Sequence, residues 1–383
     1  MADGTRLMIS AGEASGDHHA ARVLQALNRG PERVTAAGMG GPALAAAGME
    51  ILVDCRDMAI VGIVEVLRHW NRIQANLARM RDHLRDTRPD VLVLVDYPDF
   101  NLKLAETARE LGIPVLYYIS PQVWAWRPGR IHRIARLVDM MAVVFPFEEP
   151  LYASAGVPVR YVGHPLADEV CPTALPAAVR AEFDLADDTP VVGLLPGSRR
   201  GEIERLLPLL LDTAAEVRRQ QPGVRFLLPL AGTLDAAPVQ AIIEAHGTPV
   251  ELVEGGRVHD ILPVCDCVVA ASGTVTLEAA ILGTPMTVVY RVNSLTYWIL
   301  RALVTLEHIS LVNIVAQRPV VTEFIQGRAR PRLIAREVMR LLRDDEYRTG
   351  MQSDLAAVRE ALGHGGTATR TAELIRDLTT ATR

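Results

Sequence analysis

Short, mostly apolar runs recur along the chain, and between most of them lie longer amphipathic stretches of helical pattern. The first set of runs covers 6–10, 34–37, 91–95, 115–119, 140–144 and 159–162. The second covers 191–195, 225–229, 249–253, 267–271 and 286–290. Apolar runs of this length predict strands buried on both faces, and the helical pattern between them predicts covering helices. The alternation predicts parallel sheets, and it occurs twice. The two sets are parted at 165–190, a stretch with acidic residues that holds Pro165, Pro172, Pro176 and Pro190. It reads as a connection between two doubly wound domains, whose ligands would lie at the carboxyl ends of the strands, where the domains face each other. Beyond Leu333 the pattern is mostly helical, with a break at 363–366.

Composition narrows this picture. At 383 residues and 49% hydrophobic content the chain is large enough for two cores. A net charge of −5 supplies no global basic field, so nucleic acid is not an expected partner. Four scattered cysteines, with Cys265 and Cys267 spaced for one face of a strand, fit a reducing cytoplasm and not a zinc site. The start of the chain lacks the signature of a signal peptide. The most apolar stretch, 137–147, contains Asp139 and Pro146 and is too short to span a membrane. There is no short repeat or low-complexity segment.

Candidate chemistry sits where strands are expected to end. Ser272-Gly273-Thr274 follows an apolar strand and opens a helix that carries Glu278. Amides at a helix start, with the helix dipole, suit a diphosphate, and Glu278 shares a face with Thr274 where it can accept from a ribose diol. The plainer alternative is a capped helix with a solvated carboxylate. Pro196-Gly197-Ser198-Arg199 offers a second phosphate-facing loop, and no Walker sequence occurs. In the first half, Ala11-Gly12-Glu13 places Glu13 at the mouth of a turn, with Asp17 as a helix cap. Asp96 leaves strand 91–95 directly, where a general base would stand, and Asp99 reads as a cap. Ser120 to Arg130 joins Trp124, Trp126, Arg127 and Arg130, side chains suited to sugar rings, apolar chains and phosphate, or to plain core filling. Gly38-x-Gly40-x-x-Ala43 is a poor dinucleotide fingerprint, since it follows the second strand and lacks the later acidic partner. His18 and His19 are adjacent and do not share a helix face for a metal. His164 reads as a hinge residue. Val64, Val66, Leu67 and Trp70 lead into a row of arginines, a pattern that fits an anionic bilayer surface or a helix packed on its sheet.

Eight runs together resemble one family. They are 10–17, 61–67, 96–101, 120–127, 163–165, 195–199, 271–274 with Glu278, and Ser310-Leu311-Val312-Asn313. In this order, over nearly the whole chain, they resemble lipid-A-disaccharide synthases. Tyr97 and Val312 depart from the residues common in the family, which touches local loop shape only.

The resemblance implies an α/β GT-B glycosyltransferase of two Rossmann-like doubly wound domains facing across a cleft. They are expected at 1–168 and 169–345, with helices 346–383 crossing back to the first. It implies inverting transfer of 2,3-diacylglucosamine from UDP-2,3-diacylglucosamine to the 6-hydroxyl of 2,3-diacylglucosamine 1-phosphate, giving a β(1→6) disaccharide 1-phosphate and UDP. It implies no metal and no cofactor, and work at the cytoplasmic face of the inner membrane of Gram-negative cells, with Val64, Val66, Leu67 and Trp70 towards the lipid. By motif, Asp96 matches the base, with Glu13 in reserve for that role or for placing the acceptor. Arg199, Ser272, Gly273, Thr274, Glu278 and Asn313 match nucleotide-binding positions. The rival readings are another UDP-N-acetylglucosamine transferase or epimerase of this fold, and a nucleotide-sugar-binding module without turnover. Pairing into a homodimer is left open.

Overall fold

The structure, a computed structural model, describes residues 4–58, 70–293 and 307–381. The chain forms two compact units, Met1–Pro165 with His364–Arg383, and Leu166–Gly363.

The first unit is built on a seven-stranded parallel sheet. Its strands are β1 (Thr5–Ala11), β2 (Val34–Gly40), β3 (Glu50–Asp54), β4 (Val91–Val95), β5 (Val115–Tyr118), β6 (Met140–Val143) and β7 (Val159–Tyr161). They lie in the order β3-β2-β1-β4-β5-β6-β7. Every residue of β4 and β5 is buried, as unbroken apolar runs at the centre of a parallel sheet require. One core joins Met8, Leu92, Leu94, Val115 and Met141 of the sheet to Leu77, Met80 and Leu84 of helix Trp70–Thr87 and to Leu102 and Leu104 of helix Pro98–Glu110.

The second unit repeats the plan with β8 (Val191–Leu195), β9 (Arg225–Pro229), β10 (Glu251–Val253), β11 (Cys267–Ala271), β12 (Met286–Tyr290) and β13 (Thr322–Ile325). Their order is β10-β9-β8-β11-β12-β13, again all parallel.

Two strands, β3 and β13, were not among those expected. Both are edge strands. Each buries a single residue completely, Val53 in β3 and Phe324 in β13, and carries acids, Glu50, Asp54 and Glu323. A strand covered on one edge only does not need an unbroken apolar run, so the pattern passes it over.

The expected third segment, 346–383, is divided by the structure. Helix Asp345–Leu362 buries Met351, Leu355, Val358 and Leu362. It packs on helices Val275–Ile281, Leu311–Ala316 and Pro331–Arg343 of the second unit. The chain then turns through Gly363, Gly365 and Gly366, all in the left-handed region. Only the last helix, Thr367–Ala381, joins the first unit, against helix Ala14–Asn28. It buries Ala372 and Ile375 there. Arg376 caps the end of helix Ala14–Asn28 at the carbonyl of Ala26 (3.2 Å).

In an open parallel sheet, the crevice lies where consecutive connections leave in opposite directions. In the first unit that point is between β1 and β4, and in the second between β8 and β11. Glu13 and Asp96 follow β1 and β4. Arg199 and Ser272–Thr274 follow β8 and β11.

Candidate active site

In the first unit, the chain leaves β4 through two consecutive non-glycine residues with left-handed backbones, Asp96 (φ 44°) and Tyr97 (φ 48°). Such residues cost on the order of 1 kcal/mol or more each and persist where neighbours over-determine them. Here the Asp96 carbonyl accepts from Tyr117 Oη (2.6 Å) and Asn101 Nδ2 (2.7 Å). Asn101 is buried and its Oδ1 accepts from Ser10 Oγ of β1 (2.6 Å). Pro98 then sets the start of helix Pro98–Glu110, where its missing N–H costs nothing. The turn is thus pinned to both strands of the switch point. The Tyr97 ring lies on Gly12: a Cβ there would stand 2.4 Å from the ring.

Asp96 lines a cavity of about 390 Å3 with Ile119, Ser120, Gln122, Trp126 and Arg130. Ile119, at the end of β5, is also left-handed (φ 58°), an outlier for a β-branched residue. Burial, with a smaller contribution from the Glu13 charge, raises the Asp96 carboxyl to about 6, against the Tyr97 amide, which lowers it. Glu13 occupies the N-cap position of helix Ala14–Asn28, yet its side chain makes no cap hydrogen bond and is exposed. Asp99 is an exposed acid paired with Arg130 and, at 3.8 Å, with Arg127. Of the two acids in this turn, only Asp96 faces the cavity.

The aromatic loop is held by a residue the sequence reading missed. Glu148 is buried and accepts from Ser120 Oγ (2.6 Å), Trp124 Nε1 (3.0 Å) and the Phe145 amide (3.1 Å). Burial raises its carboxyl and those hydrogen bonds lower it. Trp124 stands edge-on to Phe145 and Phe147, an anchored ring, whereas Trp126 lines the cavity with the Arg127 guanidinium 5.3 Å from its centre. Nothing in spacing marks Glu148; only its burial at the start of helix Glu148–Ser154 does.

Asp17 caps a helix, though not its own. Its carboxylate accepts from the amides of Gly41 (2.7 Å), Ala43 (3.0 Å) and Leu44 (3.1 Å). The glycine-rich loop after β2 is therefore filled by an internal anion, the physical reason it does not serve as a dinucleotide loop.

In the second unit a cavity of about 360 Å3 opens over the carboxyl ends of β8, β9 and β11. Gly197, Ser198, Arg199, Ser272, Gly273, Thr274 and Glu278 line it. Thr274 holds the N-cap position of helix Val275–Ile281 without a side-chain cap hydrogen bond, and the amides of Thr274 and Val275 have no helical acceptor. A Cβ on Gly273 would meet nothing within 4 Å, so the space above the turn is free for a ligand. Ser272 is spoken for in part: its amide donates to Val289 O (3.1 Å) and its hydroxyl to Ile309 O (2.9 Å). Glu278 Oε2 lies 3.4 Å from His259 Nε2, a neighbour the sequence reading did not single out.

The loop after β8 does not present free amides. Glu202 Oε2 accepts from Ser198 N (3.0 Å) and Arg199 N (3.3 Å), and a Cβ on Gly197 would meet that carboxylate at 2.3 Å. What the loop offers a ligand is the Arg199 side chain, 82% exposed and weakly paired with Glu202 at 3.5 Å. Asn313 borders a separate cavity of about 880 Å3 in the second unit. It is buried, its Oδ1 accepts from Val320 N (2.8 Å) and Val321 N (2.9 Å), and its Nδ2 donates to Val321 O and Glu323 Oε1 (both 2.9 Å). With every polar position taken, Asn313 ties helix Leu311–Ala316 to the approach of β13. Val64, Val66 and Leu67 lie outside the described residues. Trp70 is described and is 47% exposed, with the Lys103 ammonium 5.2 Å from its ring.

Two parallel, doubly wound units with cavities at the carboxyl ends of their strands define the GT-B class of glycosyltransferases and related epimerases. Solved structures of that class share the fold. The UDP-GlcNAc 2-epimerase from Neisseria meningitidis bound to UDP-GlcNAc has a TM-score of 0.66 at 15% identity, covering 97% of this chain and 100% of that one. The calicheamicin glycosyltransferase CalG4 has a TM-score of 0.63 at 14% identity, covering 99% of each. The profile of the family described as lipid-A-disaccharide synthetase matches residues 7–376. The lipid-A-disaccharide synthases of Geobacter metallireducens and Geobacter sulfurreducens are 47% and 48% identical, over 97% of this chain and 97% of each relative. The chain belongs to the lipid-A-disaccharide synthase family.

Proposed function

We propose that this chain transfers 2,3-diacylglucosamine from UDP-2,3-diacylglucosamine to the 6-hydroxyl of 2,3-diacylglucosamine 1-phosphate, forming the β(1→6) disaccharide 1-phosphate and releasing UDP. The observation that carries the mechanism is the Asp96 carboxyl, raised to about 6 on a cavity over the carboxyl ends of β4 and β5 in the first unit. A base whose pKa lies just below neutral is mostly ionised at pH 7 and still accepts a proton readily. Asp96 takes the proton from the 6-hydroxyl as its oxygen attacks the anomeric carbon on the face opposite the diphosphate. The bond to the diphosphate breaks in the same displacement, which inverts an α donor to a β product. Glu13 raises the basicity of Asp96 by its charge. Trp126 and Arg130 line the same cavity and suit a phosphorylated sugar acceptor.

The second unit binds UDP in this reading. The Thr274 and Val275 amides and the Arg199 guanidinium face the charge that develops on the leaving diphosphate, where each such donor contributes a few kcal/mol, about 10²–10³ in rate. Glu278 accepts from the ribose diol. Family membership favours this over a UDP-N-acetylglucosamine transferase or a module without turnover.

Acylated substrates call for a lipid surface. We extend the proposal to peripheral association of residues near Val64, Val66, Leu67 and Trp70 with the cytoplasmic face of the inner membrane. Support comes from the apolar and arginine-rich sequence and the exposed Trp70. No helix among the described residues is long and apolar enough to cross a membrane.

Incubation with both acylated substrates, followed by mass spectrometry, tests the reading. A disaccharide monophosphate with equimolar UDP is expected. Release of UDP without a disaccharide, or no reaction with these substrates, contradicts it.

A further inference from the structure

The turn that carries His259 is clamped on several sides. Arg257 makes a two-pronged ion pair with Glu182 (2.6 and 2.8 Å). Asp260 is buried and accepts from the amides of Thr173 (2.6 Å) and Ala174 (3.0 Å). The Leu262 carbonyl accepts from Thr284 Oγ1 (2.8 Å). Between these anchors His259 sits with Nε2 3.4 Å from Glu278 Oε2, on a helix whose Val258 lines the same cavity as Glu278.

A lone carboxylate in that position has two faults. Its rotor is free, so it must be ordered each time it accepts from a ligand. Its charge also repels a diphosphate bound at the amides of the neighbouring turn. A fixed, protonated imidazole corrects both.

We propose that His259 is the positioning residue for Glu278: it holds one carboxylate oxygen, leaves the other to accept from the ribose diol of a uridine nucleotide, and offsets the carboxylate's charge beside the diphosphate. The inference rests on the reading of Glu278 as the ribose acceptor. The direction in which its surroundings move the imidazole agrees with it. The contact with Glu278 raises the imidazole above its ordinary value, aided by Asp260 and Glu169, against its partial burial.

Calorimetric titration of the full chain with UDP and 2′-deoxy-UDP tests the inference. The unmodified chain prefers UDP by about 10-fold or more, the size expected for a hydrogen bond to a charged group. His259→Ala weakens UDP by about 10-fold and 2′-deoxy-UDP by less than about 3-fold, so the preference collapses. His259→Gln keeps a donor of similar reach; it retains the preference while binding both diphosphates a few-fold more weakly for want of the charge. Should His259→Ala fail to fold by circular dichroism, His259→Phe against His259→Gln carries the same comparison. An undiminished preference in the variant without a donor overturns the role of His259 and leaves that of Glu278 standing. Equal binding of the two nucleotides by the unmodified chain overturns both.

Discussion

In the mechanism we propose, Asp96 acts as a base whose carboxyl is raised to about 6 by its surroundings. The ionised form accepts the proton, so turnover is present above the folded pKa and lost as pH falls through about 6. Burial is the larger cause of that value and the charge of Glu13 the smaller. Glu13→Gln removes only the second, so the acid limb of the kcat/KM profile moves to lower pH by a fraction of a unit. A pH-rate titration of the variant checks this; an unmoved limb, or one moved upward, separates Glu13 from Asp96. Both carboxylates stand out in the sequence because Asp96 follows the apolar run 91–95 directly and Glu13 follows the run 6–10 after a two-residue turn. Glu148 and His259 do not, because what distinguishes them is burial and a partner brought from elsewhere in the chain. Nor does sequence show that the Asn313 side chain hydrogen-bonds to Val320, Val321 and Glu323, since a conspicuous polar residue reads alike whatever its partners.

At the scale of elements, the runs at 91–95, 191–195, 225–229, 267–271 and 286–290 coincide with β4, β8, β9, β11 and β12. These strands lie inside their sheets and announce themselves by mostly apolar runs. The edge strands β3 and β13 do not, nor does the capping of the loop after β8 by Glu202, which depends on a helix turn folding back on its own start. The Asp96–Tyr97 turn shows how tightly elements are matched. Gly12 after β1 leaves room for the Tyr97 ring after β4. Gly12→Ala therefore costs about 1–3 kcal/mol by overpacking, and the same substitution in a Tyr97→Ala background costs much less. Chemical denaturation of the four chains of that cycle measures the coupling. Additive losses contradict the contact.

At the scale of the whole chain, the two repeats of strand and helix were readable, but the return of the chain to the first unit was placed too early. The boundary is set by which apolar faces meet. Helix Asp345–Leu362 and helix Thr367–Ala381 are both amphipathic, and sequence alone does not say which core each covers. Deletion of 364–383 uncovers helix Ala14–Asn28, whose N-cap position is Glu13. The truncated chain is expected to lose stability and turnover, read by thermal unfolding and product formation; unchanged stability contradicts the packing. At the same scale, serine at Val64, Val66, Leu67 and Trp70 is expected to move the protein from anionic vesicles to the supernatant in a sedimentation assay, and unchanged sedimentation removes the patch from that role. Proton removal by Asp96 underlies the proposed transfer. Its most direct test is the pH dependence of turnover in Asp96→Asn set beside calorimetric binding of UDP. The account predicts native-like UDP affinity, turnover lower by about 10²–10⁴, and no acid limb near pH 6 in what remains. Turnover within a few-fold of the unmodified chain, with the limb near pH 6 intact, contradicts it.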